Sequence, residues 1–410
     1  MYFGFLISDQ YKVSVMKKLE SQNNLIYFDN AATTFPKPET VIEAVVECMR
    51  MYGANPGRSG HWLSVKASDI VFKTRLALAN LFGVSNPMHV VFESNATSAL
   101  NLAIKGLLSG KGHVMTTSIE HNSTIRPLHR FEKDGVIILD ILEGDSRGVV
   151  SVSEFKKAKK NNSKLVVINH MSNVTGVVQP IREIGKWCRE NNIISIVDCS
   201  QSAGVIDIDL KKDFIDIVAF TGHKGLYGPM GIGGLVLSDS FDYRMIKPLK
   251  EGGTGSLSDE INHPCFLPDI FESGTLNVPG IAGLLKGIEY VTEFREEIET
   301  KKRELSRYFI AKALKKVEGI KIYSGMDSLG VISFTIKGLS PSHITNILSE
   351  NYNIMSRQGL HCSPLSHRKI GTFPEGTVRF SFGVFNTTKE IDIAIKCLNK
   401  LVKEKSKNGV

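Results

Sequence analysis

The 410 residues hold only six cysteines (Cys48, Cys188, Cys199, Cys265, Cys362, Cys397), and no two form a C-x-x-C pair. That spacing provides neither a disulfide framework nor a patterned zinc cluster. Free thiols suit a reducing compartment, so a cytoplasmic location is expected. No run of about 18 apolar residues occurs, so no membrane-spanning helix is expected. The opening Met1–Ser8 stretch is apolar but lacks a basic leader and makes a poor signal peptide; Met16 offers an alternative start. Neither G-x-G-x-x-G nor G-x-x-x-x-G-K-[ST] is present, which removes the common nucleotide-binding loops.

Fifty basic against 42 acidic side chains leave a formal charge of +8. The lysines are scattered without interleaved aromatics, which reads as solvated helix faces rather than a nucleic-acid surface. Hydrophobic residues at 42% and charged residues at 22% are ordinary for a globular chain with room for more than one domain.

From about residue 85 to 240, short β-rich runs alternate with helical patterns. Strands are predicted at His89–Phe92, His113–Thr117, Val136–Ile141, Leu165–Asn169, Ile193–Val197, Ile217–Phe220 and Gly234–Leu237, with helices at Thr97–Leu108 and Ile181–Asn191. This rhythm predicts an α/β fold with a mostly parallel sheet covered on both faces, whose ligands sit at the carboxyl ends of the strands. A long charged amphipathic stretch, Ile281–Val317, is predicted as a helix joining two domains. Beyond it, Val331–Ile336, Ser342–Ser349, a polar loop Ser356–Thr377, Val378–Phe382 and a terminal helix from Lys389 form a smaller α+β domain. The expected organisation is an N-terminal segment 1–24, a large domain 25–284 and a small domain 285–410.

Five strand ends carry polar residues able to converge on one pocket. Asp198 follows Ile193–Val197, and Lys224 follows Ile217–Phe220 inside Thr221-Gly222-His223-Lys224-Gly225. A lysine paired with a carboxylate is what pyridoxal phosphate requires, because the acid keeps its pyridine nitrogen protonated. Asn95-Ala96-Thr97 opens a helix, a setting for a phosphate on backbone N–H groups. Glu120-His121-Asn122, His170-Met171-Ser172-Asn173 and Ser200-Gln201 occupy the remaining ends.

Taken with Phe28-Asp29-Asn30-Ala31-Ala32-Thr33-Thr34, Glu272-Ser273-Gly274-Thr275, Gly359-Leu360-His361-Cys362 and Arg379-Phe380-Ser381-Phe382, these motifs resemble the class V aminotransferase family of fold-type-I pyridoxal-phosphate enzymes. The resemblance is to its cysteine desulfurase and selenocysteine lyase group, and it implies a seven-stranded, mostly parallel sheet in the large domain. It further implies that Lys224 carries pyridoxal 5'-phosphate and moves protons, Asp198 pairs with the ring nitrogen, and His121 stacks on the ring and acts as acid or base. Gln201 would bond the ring hydroxyl with Asn173 nearby. Ala96, Thr97, Thr221 and His223 would hold the phosphate, and Thr275 would reach the phosphate of the other subunit of a homodimer. Arg379, with Asn173, would bind the substrate carboxylate.

Cys362 would be the nucleophile that removes sulfur from L-cysteine, leaving a persulfide for an acceptor protein or thiol, with Arg357 or His361 as cationic neighbours favouring the thiolate. Cleavage of L-selenocysteine, and transamination or epimerisation that would not need Cys362, remain open on the same fold. So does a scaffold protein that has lost the chemistry.

Overall fold

The computed structural model describes residues 25–57 and 60–407; the expected segment 1–24, with Met16, lies outside them. The strands, in chain order, are β1 (Ile26–Tyr27), β2 (Val90–Glu93), β3 (Gly112–Thr117), β4 (Ile137–Leu142), β5 (Ser163–Asn169), β6 (Ile194–Asp198), β7 (Ile217–Thr221), β8 (Gly233–Leu237), β9 (Ile320–Ile322), β10 (Val331–Ile336), β11 (Ile354–Met355), β12 (Arg357–Gly359) and β13 (Thr377–Ser381). The α-helices are α1 (Glu39–Glu47), α2 (Trp62–Leu81), α3 (Ala96–Leu107), α4 (Asn122–Lys133), α5 (Val152–Ala158), α6 (Ile181–Glu190), α7 (Val278–Lys316), α8 (Pro341–Tyr352), α9 (Pro364–Lys369) and α10 (Thr388–Lys407).

Seven strands form the large sheet in the order β2-β8-β7-β6-β5-β3-β4. Neighbours from β7 to β4 pair in parallel, while β8 runs antiparallel to both β7 and β2. Every residue of β3, β7 and β8 is buried, as expected when helices cover both faces of a sheet. The carboxyl ends of β2, β3, β5, β6 and β7 consequently share one edge, and the chemistry-bearing residues follow each of them.

A second sheet, antiparallel in the order β12-β13-β10-β9, lies over a separate core that includes Leu305, Phe309, Phe334, Phe380 and Leu398. Two residues from the start of the chain join it: Ile26 pairs with Ile354 in β11, and Phe28 is buried against Phe380 and Phe382. The long helix does connect the two cores, but it bends at Phe294, whose φ of −115° and ψ of 20° leave helical geometry. Its first half packs through Ile281, Leu284 and Ile288 into the large core. Gly287 lies there because a Cβ would stand 2.2 Å from the Leu226 carbonyl oxygen. The helix therefore presses directly on the turn that follows Lys224. The expected polar loop Ser356–Thr377 contains β12 and α9, short elements formed by pairing with β13 and by Pro364 at a helix start.

Candidate active site

A cleft opens at the shared strand edge, lined by Ala96, Thr97, His121, Asn173, Asp198, Gln201, Thr221, His223 and Lys224 together with Asn95, Ser123, Asn169, Met171 and Ser200. They arrive in groups from five strand ends, those of β2, β3, β5, β6 and β7, which is why residues scattered over 130 positions meet.

Lys224 is half-buried at the cleft floor. Burial pushes its pKa down from 10.5 to about 8; Asp198 opposes the shift, and Arg379 and Arg357 add to it. Such a lysine is within reach of a neutral, nucleophilic form near physiological pH. Asp198 accepts from Ser200 N (2.9 Å) and Ser200 Oγ (2.5 Å), both on Oδ1.

His121 precedes α4 and caps it: Nδ1 accepts from Ser123 N at 3.1 Å. A neutral ring accepting at Nδ1 carries its proton on Nε2. The ring is neutral because burial lowers its pKa to about 4, against Asp198 and with Lys224, Arg357 and Arg126 adding. Ser123 Oγ also lies 2.8 Å from His121 Nδ1 and 2.7 Å from Thr97 Oγ1, which ties the imidazole to the start of α3. Asn95 caps that helix through Ser98 N at 2.9 Å.

Asn173 reaches from the β5 end to the loop carrying Cys362. Its Nδ2 donates to the His361 carbonyl (2.7 Å), its Oδ1 accepts from Ser363 Oγ (2.7 Å), and its own carbonyl accepts from Arg379 Nη1 (3.0 Å). Asn122 N, beside His121, donates to the Cys362 carbonyl at 2.8 Å. Cys362 is exposed, and Arg357 Nη2 stands 3.6 Å from its Sγ. His361 does not serve as a cationic neighbour. It is buried against Thr377 Oγ1 at 3.2 Å, and burial, with Arg379 adding, holds its pKa well below the usual value.

Arg379 is 1% exposed. Its Nη2 pairs with Asp29 at 2.8 Å, while Nε is buried without a partner. Thr275 stands away from this cleft, beside Lys250, Ser273 and Asn277. Asp29 stood within a motif without a role, and Ser123 escaped the sequence reading. Ser123 sits two positions after His121, the spacing at which a side chain caps a helix start, and that signal was available.

A family model for class-V aminotransferases matches residues 26–393. The chain belongs to the class-V aminotransferase family. A probable cysteine desulfurase of Pyrococcus abyssi is 35% identical over 405 residues, covering 95% of this chain and 97% of the relative. One from Methanothermobacter thermautotrophicus is 31% identical over 383 residues, covering 92% and 94%. Among solved structures, the apo cysteine desulfurase of Thermococcus onnurineus NA1 superposes with a TM-score of 0.86 at 33% identity, covering 94% of this chain and 96% of that one. The class-V aminotransferase fold is thus the fold-type-I arrangement, with its mixed seven-stranded sheet.

Class-V aminotransferases depend on pyridoxal phosphate, and the residues present fit that group. Thr221 Oγ1 and His223 Nδ1 are buried with no hydrogen-bond partner. Both line the cleft with Thr97 and the start of α3, where helix N–H groups attract a phosphate.

Proposed function

We propose that this chain is a cysteine desulfurase that converts L-cysteine to L-alanine and carries the released sulfur as a persulfide on Cys362. The observation that carries the reading is the joining of Cys362 to the lysine cleft: Asn173 and Asn122 hold its loop at the rim. A transaminase or epimerase has no use for an exposed thiol there.

Pyridoxal phosphate, when bound, supplies the electron sink for charge developing at the substrate's α-carbon. Thr97, Thr221, His223 and the start of α3 would hold its phosphate; Asp198, Gln201 and His121 would hold its ring, and Lys224 its aldehyde carbon. Arg379 binds the substrate carboxylate through its unpartnered Nε–H. Lys224 Nζ takes the α-proton and returns it. The Cys362 thiolate, with the Arg357 guanidinium beside it, attacks the substrate sulfur. A sulfur–sulfur bond forms, the carbon–sulfur bond breaks, and its electron pair stays with the carbon skeleton, which gains a proton and leaves as alanine. An acceptor thiol then takes the terminal sulfur, which the exposure of Cys362 permits.

Two further parts of the reading are a cytoplasmic location and a homodimer. A dimer is supported by exposed large apolar residues in and between α1 and α2, namely Val46, Met49, Met51, Trp62 and Val65, side chains of the kind a partner covers. Thr275 would serve the partner's phosphate. The test compares alanine and sulfide release from L-cysteine plus reductant by wild type and Cys362→Ala. Both products from wild type and neither from the variant are expected; equal product from the variant sinks the assignment.

A further inference from the structure

The peptide carbonyl immediately before Lys224 is unusually occupied. Four donors from one distant stretch converge on the His223 oxygen: Thr34 N at 3.0 Å, Thr33 Oγ1 at 3.1 Å, Thr34 Oγ1 at 3.2 Å and Lys37 Nζ at 2.8 Å. A carbonyl offers two lone pairs, so the site is saturated. Lys37 also donates to Thr34 Oγ1 at 2.6 Å, which leaves the Thr34 hydroxyl proton for the carbonyl. Pro36 and Pro38 flank Lys37 and restrict its backbone. Among the described residues no carboxylate pairs with the Lys37 ammonium, so its charge has only the hydroxyl and the carbonyl as acceptors. Burial lowers its pKa to about 8, and its charge is felt at the His223 ring, whose Nδ1 has no partner.

We propose that Lys37, with Thr33 and Thr34, is a positioning clamp that acts through the His223 carbonyl to hold the His223 imidazole and Lys224 where the cofactor binds. The clamp fixes the peptide plane between these two residues, so the imidazole and the amine are presented in one rigid piece. A charge-assisted hydrogen bond is the strongest of the four, and Lys37 is therefore the member whose loss is felt most. The inference rests on the pyridoxal-phosphate reading of the cleft.

The experiment titrates full-length protein, stripped of cofactor, with pyridoxal phosphate and follows the quenching of intrinsic fluorescence. Wild type, Lys37→Met, Lys37→Arg and Thr33→Val are compared, and thermal unfolding of each apoprotein is measured alongside. Lys37→Met should weaken cofactor binding roughly ten- to a hundred-fold, the range expected for one charged hydrogen bond. Thr33→Val should weaken it about two- to five-fold, the effect of one neutral bond among four. Lys37→Arg should restore most of the affinity. Equal affinities for wild type and Lys37→Met overturn the clamp, as does a loss of thermal stability in Lys37→Met without a loss of affinity. Wild type that takes up no pyridoxal phosphate overturns the cofactor reading and the clamp with it, an outcome distinct from equal binding.

Discussion

Asn173→Ala should uncouple sulfur transfer from cofactor binding. The wild-type amide makes two hydrogen bonds of 2.7 Å, to the residues on either side of Cys362. Ser363 is completely buried, so the alanine variant leaves a hydroxyl and a carbonyl without partners. Each orphan costs about 1–3 kcal/mol, and some relaxation brings the total to about 2–4 kcal/mol. The loop has little of its own to resist this. His361 and Cys362 occupy left-handed backbone with φ of 49° and 59°, a conformation that costs about 1–2 kcal/mol per non-glycine residue. Other ties remain, among them Asn122 N to the Cys362 carbonyl and Ser363 N to the Leu360 carbonyl, both 2.8 Å, and His361 Nε2 with Thr377 Oγ1 at 3.2 Å. The anchored population should therefore drop, and alanine formation with it, by roughly thirty-fold to several hundred-fold. Pyridoxal-phosphate affinity should stay within about three-fold of wild type, because both amide groups face the loop. Single-turnover alanine release and cofactor titration on the same preparation give the two numbers. A parallel fall in both refutes the reasoning and assigns the Asn173 amide to the cofactor.

Two further perturbations address stability. Lys302 is 8% exposed, pairs with no acid among the described residues, and has its pKa pushed by burial from 10.5 to about 8. A difference of that size corresponds to about 3 kcal/mol of destabilisation. The folded state binds fewer protons than the unfolded state between pH 8 and 10.5, so the cost is fully present below pH 8 and fades towards pH 10.5. Lys302→Met should raise the urea midpoint at pH 7, and its advantage over wild type should shrink by pH 10; an undiminished gap contradicts the linkage. Glu272 accepts from Arg75 Nη1 at 2.8 Å and Nη2 at 2.5 Å and from Phe92 N at 2.5 Å, all buried. Glu272→Ala leaves the Arg75 cation unpaired in the core and should cost about 3–5 kcal/mol, read as a lower urea midpoint; a change under about 1 kcal/mol refutes the assignment of that pair as an obligatory partner for Arg75.

The large sheet was legible because each strand is an apolar run with both faces covered, followed at once by the polar residues that line the cleft. The seven expected runs agree with β2 to β8 to within one or two residues. The bend at Phe294 was hidden, since no proline marks it and the amphipathic pattern continues through it. Also hidden were β12 and α9: the three residues Arg357–Gly359 become a strand only because β13 lies beside them. Local sequence cannot report a partner that arrives from elsewhere in the fold.

The stretch from Asp29 to Lys37 takes that point furthest. By sequence it is a turn-rich passage ending in Phe35-Pro36-Lys37-Pro38. In space it begins beside the second core, where Phe28 is buried, and Asp29 pairs with Arg379, 350 positions away. The Ala31 carbonyl accepts from Gln201 Nε2 at 2.9 Å, and Thr33, Thr34 and Lys37 close on His223. One short passage thus touches the proposed carboxylate-binding arginine, the proposed ring-binding Gln201 and the peptide before Lys224. Some of its polar groups pair locally, as Phe35 N does with Asn30 Oδ1 at 3.3 Å and Lys37 Nζ with Thr34 Oγ1 at 2.6 Å, but the groups that meet Arg379, Gln201 and His223 find those partners only once distant parts of the chain are assembled around it. The cleft and this passage must therefore form together, and a change in the passage should register first at the cofactor, before either hydrophobic core is affected.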